Sequence, residues 1–237
     1  MQAIILNSGT GSRMGCRTQN LPKCLLPLGE GHTVLSKQVD SLADNGIRDM
    51  VLTTGQFHDT IKSYLLHRYG DRYQFQFIHN DRFKTTNYIY SLHLIRDYIN
   101  SDCILLHGDL VYESGVMRGL LRSPNRNTVL VSPGEELPEK DFKAHIAQGR
   151  ILQIAINIFH DCKFLLPLYR LEYSFMKQWL EQINEYIAQD KIAVYAENAL
   201  NDLLKTELTL LPHYYEGFCM EIDTEEDYSI CLSRNAL

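Results

Sequence analysis

Apolar residues run along this chain in short blocks parted by polar, glycine-containing turns, and the period of the blocks changes from one to the next. Ala3, Ile4, Ile5 and Leu6 form an unbroken apolar run, as expected of a strand buried on both faces. Val34, Leu35, Val39, Leu42 and Ala43 then repeat at helical spacing over residues 34–45, and Gly46 supplies the stop. Residues 50–53 read as a second strand, 60–69 as a helix, 75–79 as a third strand, 89–99 as a helix and 103–107 as a fourth buried strand, with another helix starting near Ser114. Strands alternating with helices need crossover connections, which predicts a mostly parallel sheet.

The pattern loosens in the second half. Residues 144–148 and 151–156 read as a hairpin turning at Gly149-Arg150, followed by helices over 172–188 and 197–204. There is no internal repeat, low-complexity tract or linker. At 237 residues the chain suits one sizeable domain better than two. The expected fold class is therefore α/β: a single Rossmann-like domain with a mostly parallel mixed sheet flanked by helices, plus a small β/α subregion in the second half.

Hydrophobic residues at 45% and charged residues at 22% are globular values. No apolar run nears the roughly 18 residues of a membrane span, and the first residues enter a strand without a basic segment and apolar signal core. A cytoplasmic protein without a membrane partner is expected. A net charge of −6 and a pI near 5.8 argue against a nucleic-acid surface, so any anion must be met by local positive charge. Cys16, Cys24, Cys103, Cys162, Cys219 and Cys231 are scattered without a C-x-x-C pair, which suits buried thiols better than a disulfide framework or a zinc site.

The local charge sits in residues 6–23, LNSGTGSRMGCRTQNLPK. Gly9, Gly11 and Gly15 let the chain turn sharply after the first strand, with backbone N–H groups free to meet anionic oxygens. Arg13 adds a planar fork of donors and Lys23 a mobile point charge. Spacing separates this loop from two familiar ones. Its glycines run G-x-G-x-x-x-G rather than G-x-G-x-x-G, and no acidic residue closes a second strand about 20 residues on, as a dinucleotide fold requires. No Lys-Ser or Lys-Thr follows, as a Walker loop requires.

The string Gly9-Thr10-Gly11-Ser12-Arg13-Met14, then Pro22-Lys23-Cys24-Leu25, resembles the signature of the nucleotidyltransferases that couple a nucleoside triphosphate to a phosphorylated small molecule. Asn80-Asp81, residues 86–92 (TNYIYSL) and residues 221–228 (EIDTEEDY) resemble more narrowly the bacterial phosphocholine cytidylyltransferases and their relatives acting on aminoethylphosphonate. Sugar-phosphate members carry a glycine-rich segment where this chain has residues 86–92. The resemblance implies that residues 1–135 mainly bind nucleotide, and that residues 136–237 mainly bind the acceptor and supply a second metal carboxylate. It also implies an Mg2+ cofactor, CTP and a small phosphorylated or phosphonate acceptor as partners; a homodimer is compatible with it.

Ligands of open α/β sheets lie beyond the carboxyl ends of the strands, where this sequence has Asn7-Ser8-Gly9, Thr53-Thr54-Gly55 and Gly108-Asp109. Asp109 follows an apolar run and a glycine, a fitting place for a hard-cation ligand, although it could instead cap the next helix. In residues 219–223 the acids Glu221 and Asp223 share one face of an extended segment, and Asp223 could also cap a following helix. Magnesium on phosphates commonly uses one or two protein carboxylates, which fits Asp109 with Asp223.

By the same resemblance, the pyrimidine and ribose lie over Leu6, Asn7, Ser8 and Gly9, near Asn87, Ser91 and Gly108. The backbone of Gly9, Thr10, Gly11 and Ser12 and the Arg13 guanidinium cradle the β- and γ-phosphates, and Lys23 meets the α-phosphate. Tyr195-Ala196-Glu197 resembles the head-group segment of the phosphocholine enzymes. Glu197 is expected to be the counter-charge, with Tyr169, Tyr173, Trp179 or Tyr195 offering a ring face; Trp179 and Tyr173, six apart on an expected helix, equally suit the core. Glu221 joins this acceptor set, and Lys143 resembles a substrate-phosphate lysine of the wider superfamily. The segment from Pro138 to Ala144 departs from the phosphocholine pattern, which is rich in aromatics there. Two other readings stand beside the cytidylyltransferase: a sugar-1-phosphate nucleotidyltransferase, and a nucleotide-sensing module without catalysis.

Overall fold

A computed structural model describes residues 1–206 and 208–234, with the Ser12 side chain outside the described part. Strand β1 (Gln2–Asn7) leads through 3-10 turns at Ser12–Thr18 and Lys23–Leu25 into a small hairpin, β2 (Pro27–Gly29) and β3 (His32–Thr33), and then α1 (Val34–Asp44). The alternation continues with β4 (Asp49–Thr54), α2 (His58–Tyr69), β5 (Gln74–His79), α3 (Tyr88–Leu94) and β6 (Cys103–His107). After β7 (Leu110–Tyr112) and α4 (Ser114–Arg122) follow β8 (Thr128–Val131), β9 (Lys143–Ala147), β10 (Arg150–Ala155) and β11 (Cys162–Leu171). The chain ends in α5 (Tyr173–Ala188), α6 (Ala196–Leu204), β12 (Leu211–Tyr214), β13 (Cys219–Glu221) and α7 (Glu225–Ser233).

Strands β5, β4, β1 and β6 lie side by side and all parallel, because each is joined to the next by a crossover. From β1 the chain steps outward to β4 and β5, then crosses to β6 on the other side of β1. The reversal opens a crevice at the carboxyl ends of β1 and β6, the place where open sheets of this kind bind ligands. Beyond β6 the sheet turns antiparallel through β11, which also pairs with β8 and β9, while β10 pairs with β9 and β12 lies parallel to β8.

Two apolar layers cover the sheet, and alternation along each strand assigns residues to them. Ile4, Leu6, Cys103 and Leu105 face a layer built on α3, α5 and α6. Ala3, Ile5, Ile104 and Leu106 face one built on α1, α2 and α4. The result is a single three-layered α/β domain with a mixed sheet, as the alternating pattern predicted.

The structure departs from the sequence reading where tertiary context outweighs local pattern. The helix expected over 89–99 stops at Leu94, and a separate 3-10 turn covers Arg96–Tyr98. The hairpin turns one residue early, on Gln148 and Gly149, both with positive φ. The strand of ten residues β11 is missing from the sequence reading because Pro167 lies inside it. Its pairing with β8 slips between Leu166 and Tyr169, so a bulge accommodates the residue that cannot donate to the ladder. The six cysteines are unpaired.

Trp179 has no exposed surface; its ring lies 5.7 Å from that of Tyr169, and its indole N–H donates to the Ala196 carbonyl at 3.0 Å. It is a core residue joining α5 to the start of α6, not a wall of any cleft. Trp179→Ala should cost about 3–5 kcal/mol, measured by urea unfolding followed by circular dichroism. A loss under about 1 kcal/mol would mean that the site collapses around the missing ring.

Candidate active site

A cleft of about 410 Å³ opens over the carboxyl ends of β1 and β6. Its floor depends on one close approach. The Gly108 N–H donates to the Leu6 carbonyl at 3.0 Å, and a β-carbon on Gly108 would stand 1.8 Å from Asn7 Oδ1. Only glycine lets the end of β6 pass under the Asn7 side chain. Among the described residues the buried Asn7 Nδ2 has no hydrogen-bond partner, which leaves a donor at the cleft floor.

The glycine loop forms one rim. Gly11 and Gly15 have positive φ, whereas Gly9 does not. A β-carbon on Gly11 would crowd Thr18 and Lys23 at 3.2–3.3 Å, and the Thr18 hydroxyl donates to the Gly11 carbonyl at 2.8 Å. Met14 is buried against Leu26, Val111, Ile222 and Tyr228, so the loop is anchored by its apolar residue while Arg13 faces the cleft. The Ser12 side chain lies outside the described part.

Two acids 114 positions apart meet above this rim. Strand β13 pairs antiparallel with β7, and the Ile222 N–H donates to the Asp109 carbonyl at 3.0 Å, which brings Asp223 beside Asp109. Thr224, not Asp223, caps α7: its hydroxyl accepts from the Asp227 N–H while the Asp227 carboxylate accepts from the Thr224 N–H. Neither Asp109 nor Asp223 serves as a helix cap. Lys23 Nζ sits between their carboxylates, 3.1 Å from Asp109 and 2.5 Å from Asp223, and Arg13 reaches Asp223 at 2.8 Å. Burial alone would lower the pKa of Lys23, but the two carboxylates outweigh it and hold the ammonium above its ordinary value.

Glu221 also faces the cleft, while Ile222 between it and Asp223 is buried. Its carboxylate lies 3.0 Å from His107 Nδ1. Burial opposes protonation of His107, yet the hydrogen bond and charge of Glu221, with the charges of Asp109 and Glu197, prevail and push its pKa up to about 9. Burial, the first cause, raises the Glu221 carboxyl as well, with His107 pulling it down. Ligand atoms of His107, Asp109 and Glu221 lie within 4.8 Å of one another, with His107 paired to Glu221 and Asp109 to Lys23. Asp109 belongs both to this group and to the Asp109–Asp223 pair, and its oxygens are donors of the kind that magnesium takes.

One wall is aromatic, and Tyr88 packs edge-on against His107 at 5.0 Å. Tyr88, Phe142 and Tyr195 line it, with ring centroids 6.0 Å apart for Tyr88 and Tyr195 and 5.0 Å for Phe142 and Tyr195. Behind Tyr88 lies Glu197, 1% exposed, whose carboxylate accepts from the Tyr88 hydroxyl and, at 2.9 Å, from the Tyr169 hydroxyl. Burial and the Glu197 charge push both phenols well above their ordinary pKa, which keeps them as donors.

The structure thus brings together most of the expected residues. Leu6, Asn7, Ser8, Gly9, Thr10, Gly11, Arg13, Lys23, Asn87, Ser91, Gly108, Asp109, Tyr195, Glu221 and Asp223 all border the cleft. Ser91 is fully buried, however, and its hydroxyl bonds those of Ser8 at 2.7 Å and the Asn80 amide at 3.1 Å, so it ties α3 to β1. Asn87 caps α3. Three expected acceptor residues do not reach the cleft surface. Tyr173 is exposed at the start of α5, away from the aromatic wall. Glu197 is behind the wall because α6 packs against the sheet on that side. Lys143 is fully buried, with its ammonium spent on backbone carbonyls.

His107, Tyr88, Phe142, Asn80, Lys140 and Asp141 border the cleft and were not anticipated in it. Position at a strand's carboxyl end could have flagged His107 and Asn80. Nothing local flags Tyr88 or Phe142, because a tyrosine or phenylalanine at an element's start most often joins a core.

A glycine loop, a lysine and two converging carboxylates at the switch point of a mixed α/β sheet define a nucleotidyl-transferring enzyme. Residues 3–201 match the MobA-like NTP transferase domain, and the chain belongs to that family. It is 32% identical over 221 residues to the choline-phosphate cytidylyltransferase of Haemophilus influenzae, covering 85% of this chain and 90% of that one. It is 30% identical over 132 residues to the CMP-5'-(3-aminopropyl)phosphonate synthase of Streptomyces rubellomurinus, covering 56% of this chain but only 21% of that enzyme's length. The structure of the CTP:phosphocholine cytidylyltransferase of Streptococcus pneumoniae superposes with a TM-score of 0.84 at 21% identity, covering 99% and 98% of the two chains. Among the described residues no helix is long and apolar enough to cross a membrane.

Gly108→Ala tests the floor. The added methyl must displace Asn7 or part β6 from β1, which should cost about 1–3 kcal/mol of stability and, with Asn7 displaced, lower turnover at least about tenfold. Urea unfolding and initial rates measure the two effects, and no change in either would show that the approach of Gly108 to Asn7 does not fix the floor.

Proposed function

We propose that this enzyme is a magnesium-dependent cytidylyltransferase that joins CTP to a phosphorylated amino alcohol or an aminoalkylphosphonate and releases pyrophosphate. The observation that carries the reading is the convergence of Lys23, Arg13, Asp109 and Asp223 on one point of a cleft that Tyr88, Phe142 and Tyr195 also line. The names of the relatives support CTP as the nucleotide and a cationic phosphate or phosphonate as the acceptor.

The acceptor's phosphoryl or phosphonyl oxygen is anionic near neutral pH, so it attacks without a strong general base. A bond forms from that oxygen to the α-phosphorus, the bond from the α-phosphorus to the β-bridging oxygen breaks, and pyrophosphate leaves with the electron pair. Rate enhancement then rests on alignment and on charge stabilisation. Lys23 stabilises the charge gathering on the α-phosphate, while Arg13 and the N–H groups of the glycine loop hold the departing phosphates. Asp109 and Asp223 would hold the divalent ion, which supplies a Lewis acid for the phosphate oxygens. Asn7, with its free donor, and the Ser8 backbone supply the surface for ribose and pyrimidine.

Pyrophosphate release from each triphosphate with each acceptor tests the reading. CTP with phosphocholine, phosphoethanolamine or 2-aminoethylphosphonate should outpace any triphosphate with glucose 1-phosphate. Faster turnover of the hexose phosphate would favour a sugar-1-phosphate nucleotidyltransferase, and nucleotide binding without pyrophosphate release would favour a sensing module.

Asp109→Asn and Asp223→Ala should each fold and lose on the order of a thousandfold in turnover, since a Lewis-acid contact contributes several kcal/mol. Near-wild-type rates in saturating magnesium would remove that residue from the site. Lys23→Ala should depress kcat far more than it raises the KM for CTP, because the charge it meets grows in the transition state. A change confined to that KM would assign Lys23 to ground-state binding.

A further inference from the structure

Most carboxylates in and around the cleft already have partners. Asp109 and Asp223 hold Lys23, Glu221 holds His107, and Glu197 is filled by two tyrosine hydroxyls. Asp141 also lines the cleft, yet among the described residues its carboxylate takes part in no hydrogen bond or ion pair. Partial burial raises its pKa and the nearby Asp223 charge adds to this, with Arg13 pulling the other way through space. Lys143 also acts on it through space, but neither cation is hydrogen-bonded to its carboxylate, whose oxygens keep open acceptor positions.

Its placement is not accidental to a flexible loop. The Lys143 ammonium, fully buried, donates to the carbonyls of Ile156 at 2.7 Å, Asp141 at 3.0 Å and Glu139 at 3.3 Å, and lies 4.5 Å from the centre of the Phe159 ring. Three carbonyls converging on one ammonium fix the backbone on both sides of Lys140. Phe142, the next residue after Asp141, packs edge-on against Tyr195 in the aromatic wall. A carboxylate with open acceptor positions in the same cleft as the Tyr88, Phe142 and Tyr195 rings is a surface that an organic ammonium group fits.

We infer that Asp141, presented to the cleft by the buried ammonium of Lys143, is the specificity-determining carboxylate that receives the acceptor's cationic group. The inference rests on the proposed function and names the residue that reads the acceptor's charge. Glu197, behind Tyr88, orients the wall instead. Lys143 is a positioning residue: it touches neither the acceptor nor the nucleotide.

The test compares wild type with Asp141→Asn and Asp141→Ser at saturating CTP and magnesium, using 2-aminoethylphosphonate and phosphocholine against glycerol 3-phosphate as the acceptor without a cation. The ratio of kcat/KM for the cationic acceptors over the neutral one should fall ten- to a hundredfold, through KM, with the KM for CTP within about twofold. An unchanged ratio in both variants overturns the assignment. Lys143→Gln should raise the KM for the cationic acceptors without raising that for CTP, and Lys143→Arg should restore part of the loss; equal rises for both substrates overturn the positioning role. Wild-type turnover separates the two levels of the argument. If the wild type uses no cationic acceptor, the proposed function and the inference fall together, whereas cationic turnover that both Asp141 variants retain at the wild-type ratio removes the inference alone.

Discussion

Two carboxylates and two cations share a space that would repel either pair by itself. Asp109 comes from the end of β6 and Asp223 from the end of β13, and their charges stay together in the free protein because Lys23 lies between them and Arg13 braces Asp223. The cluster links the glycine loop, the central sheet and the last helix into one unit. Triphosphate and metal are the species that would compete for the same contacts, the phosphates for Lys23 and Arg13 and the metal for the carboxylates. The free site is thus neutralised internally, two cations against two carboxylates, rather than left as an uncompensated field.

The cluster is held from behind by packing. Met14 from the loop, Val111 from β7, and Ile222 and Tyr228 from the C-terminal segment share a small apolar core apart from the two main layers. Each functional residue of this rim has a buried neighbour in sequence: Arg13 beside Met14, Asp223 beside Ile222. The same economy operates at the floor, where Gly108 precedes Asp109 and lets the strand end pass close enough to Asn7 to make one continuous surface. On the aromatic wall the roles divide differently. Buried charges support and surface residues contact, with Glu197 behind Tyr88 and Lys143 under Asp141.

Much of this was legible in the sequence, for definite reasons. An apolar run followed by closely spaced glycines, Arg13 and Lys23 has few uses other than phosphate handling, and the period-two spacing of Glu221 and Asp223 put both on one face. The parallel half of the sheet followed from the alternation of periods. In the antiparallel half the β9–β10 hairpin was legible, but β11, which joins it to the sheet, was hidden, because it carries an internal proline and is buried along most of its length and so shows neither alternation nor an uninterrupted strand signature.

What the sequence alone determined is the glycine-loop rim of the cleft: residue types contiguous in the chain, whose local spacing already encodes a loop and its charges. Tertiary structure alone decided the aromatic side. Glu197, Tyr173 and Lys143 carry the right groups for an acceptor pocket, but the docking of α6 on the sheet buries the first, the start of α5 leaves the second outside, and three carbonyls claim the third. Asp141 and Tyr88, which lie in segments the sequence singled out without assigning either residue a role, face the cleft instead. A side chain's type fixes what it can bind, whereas its burial and its competitors for hydrogen bonds depend on segments far away in the chain, and those are set only when the layers pack.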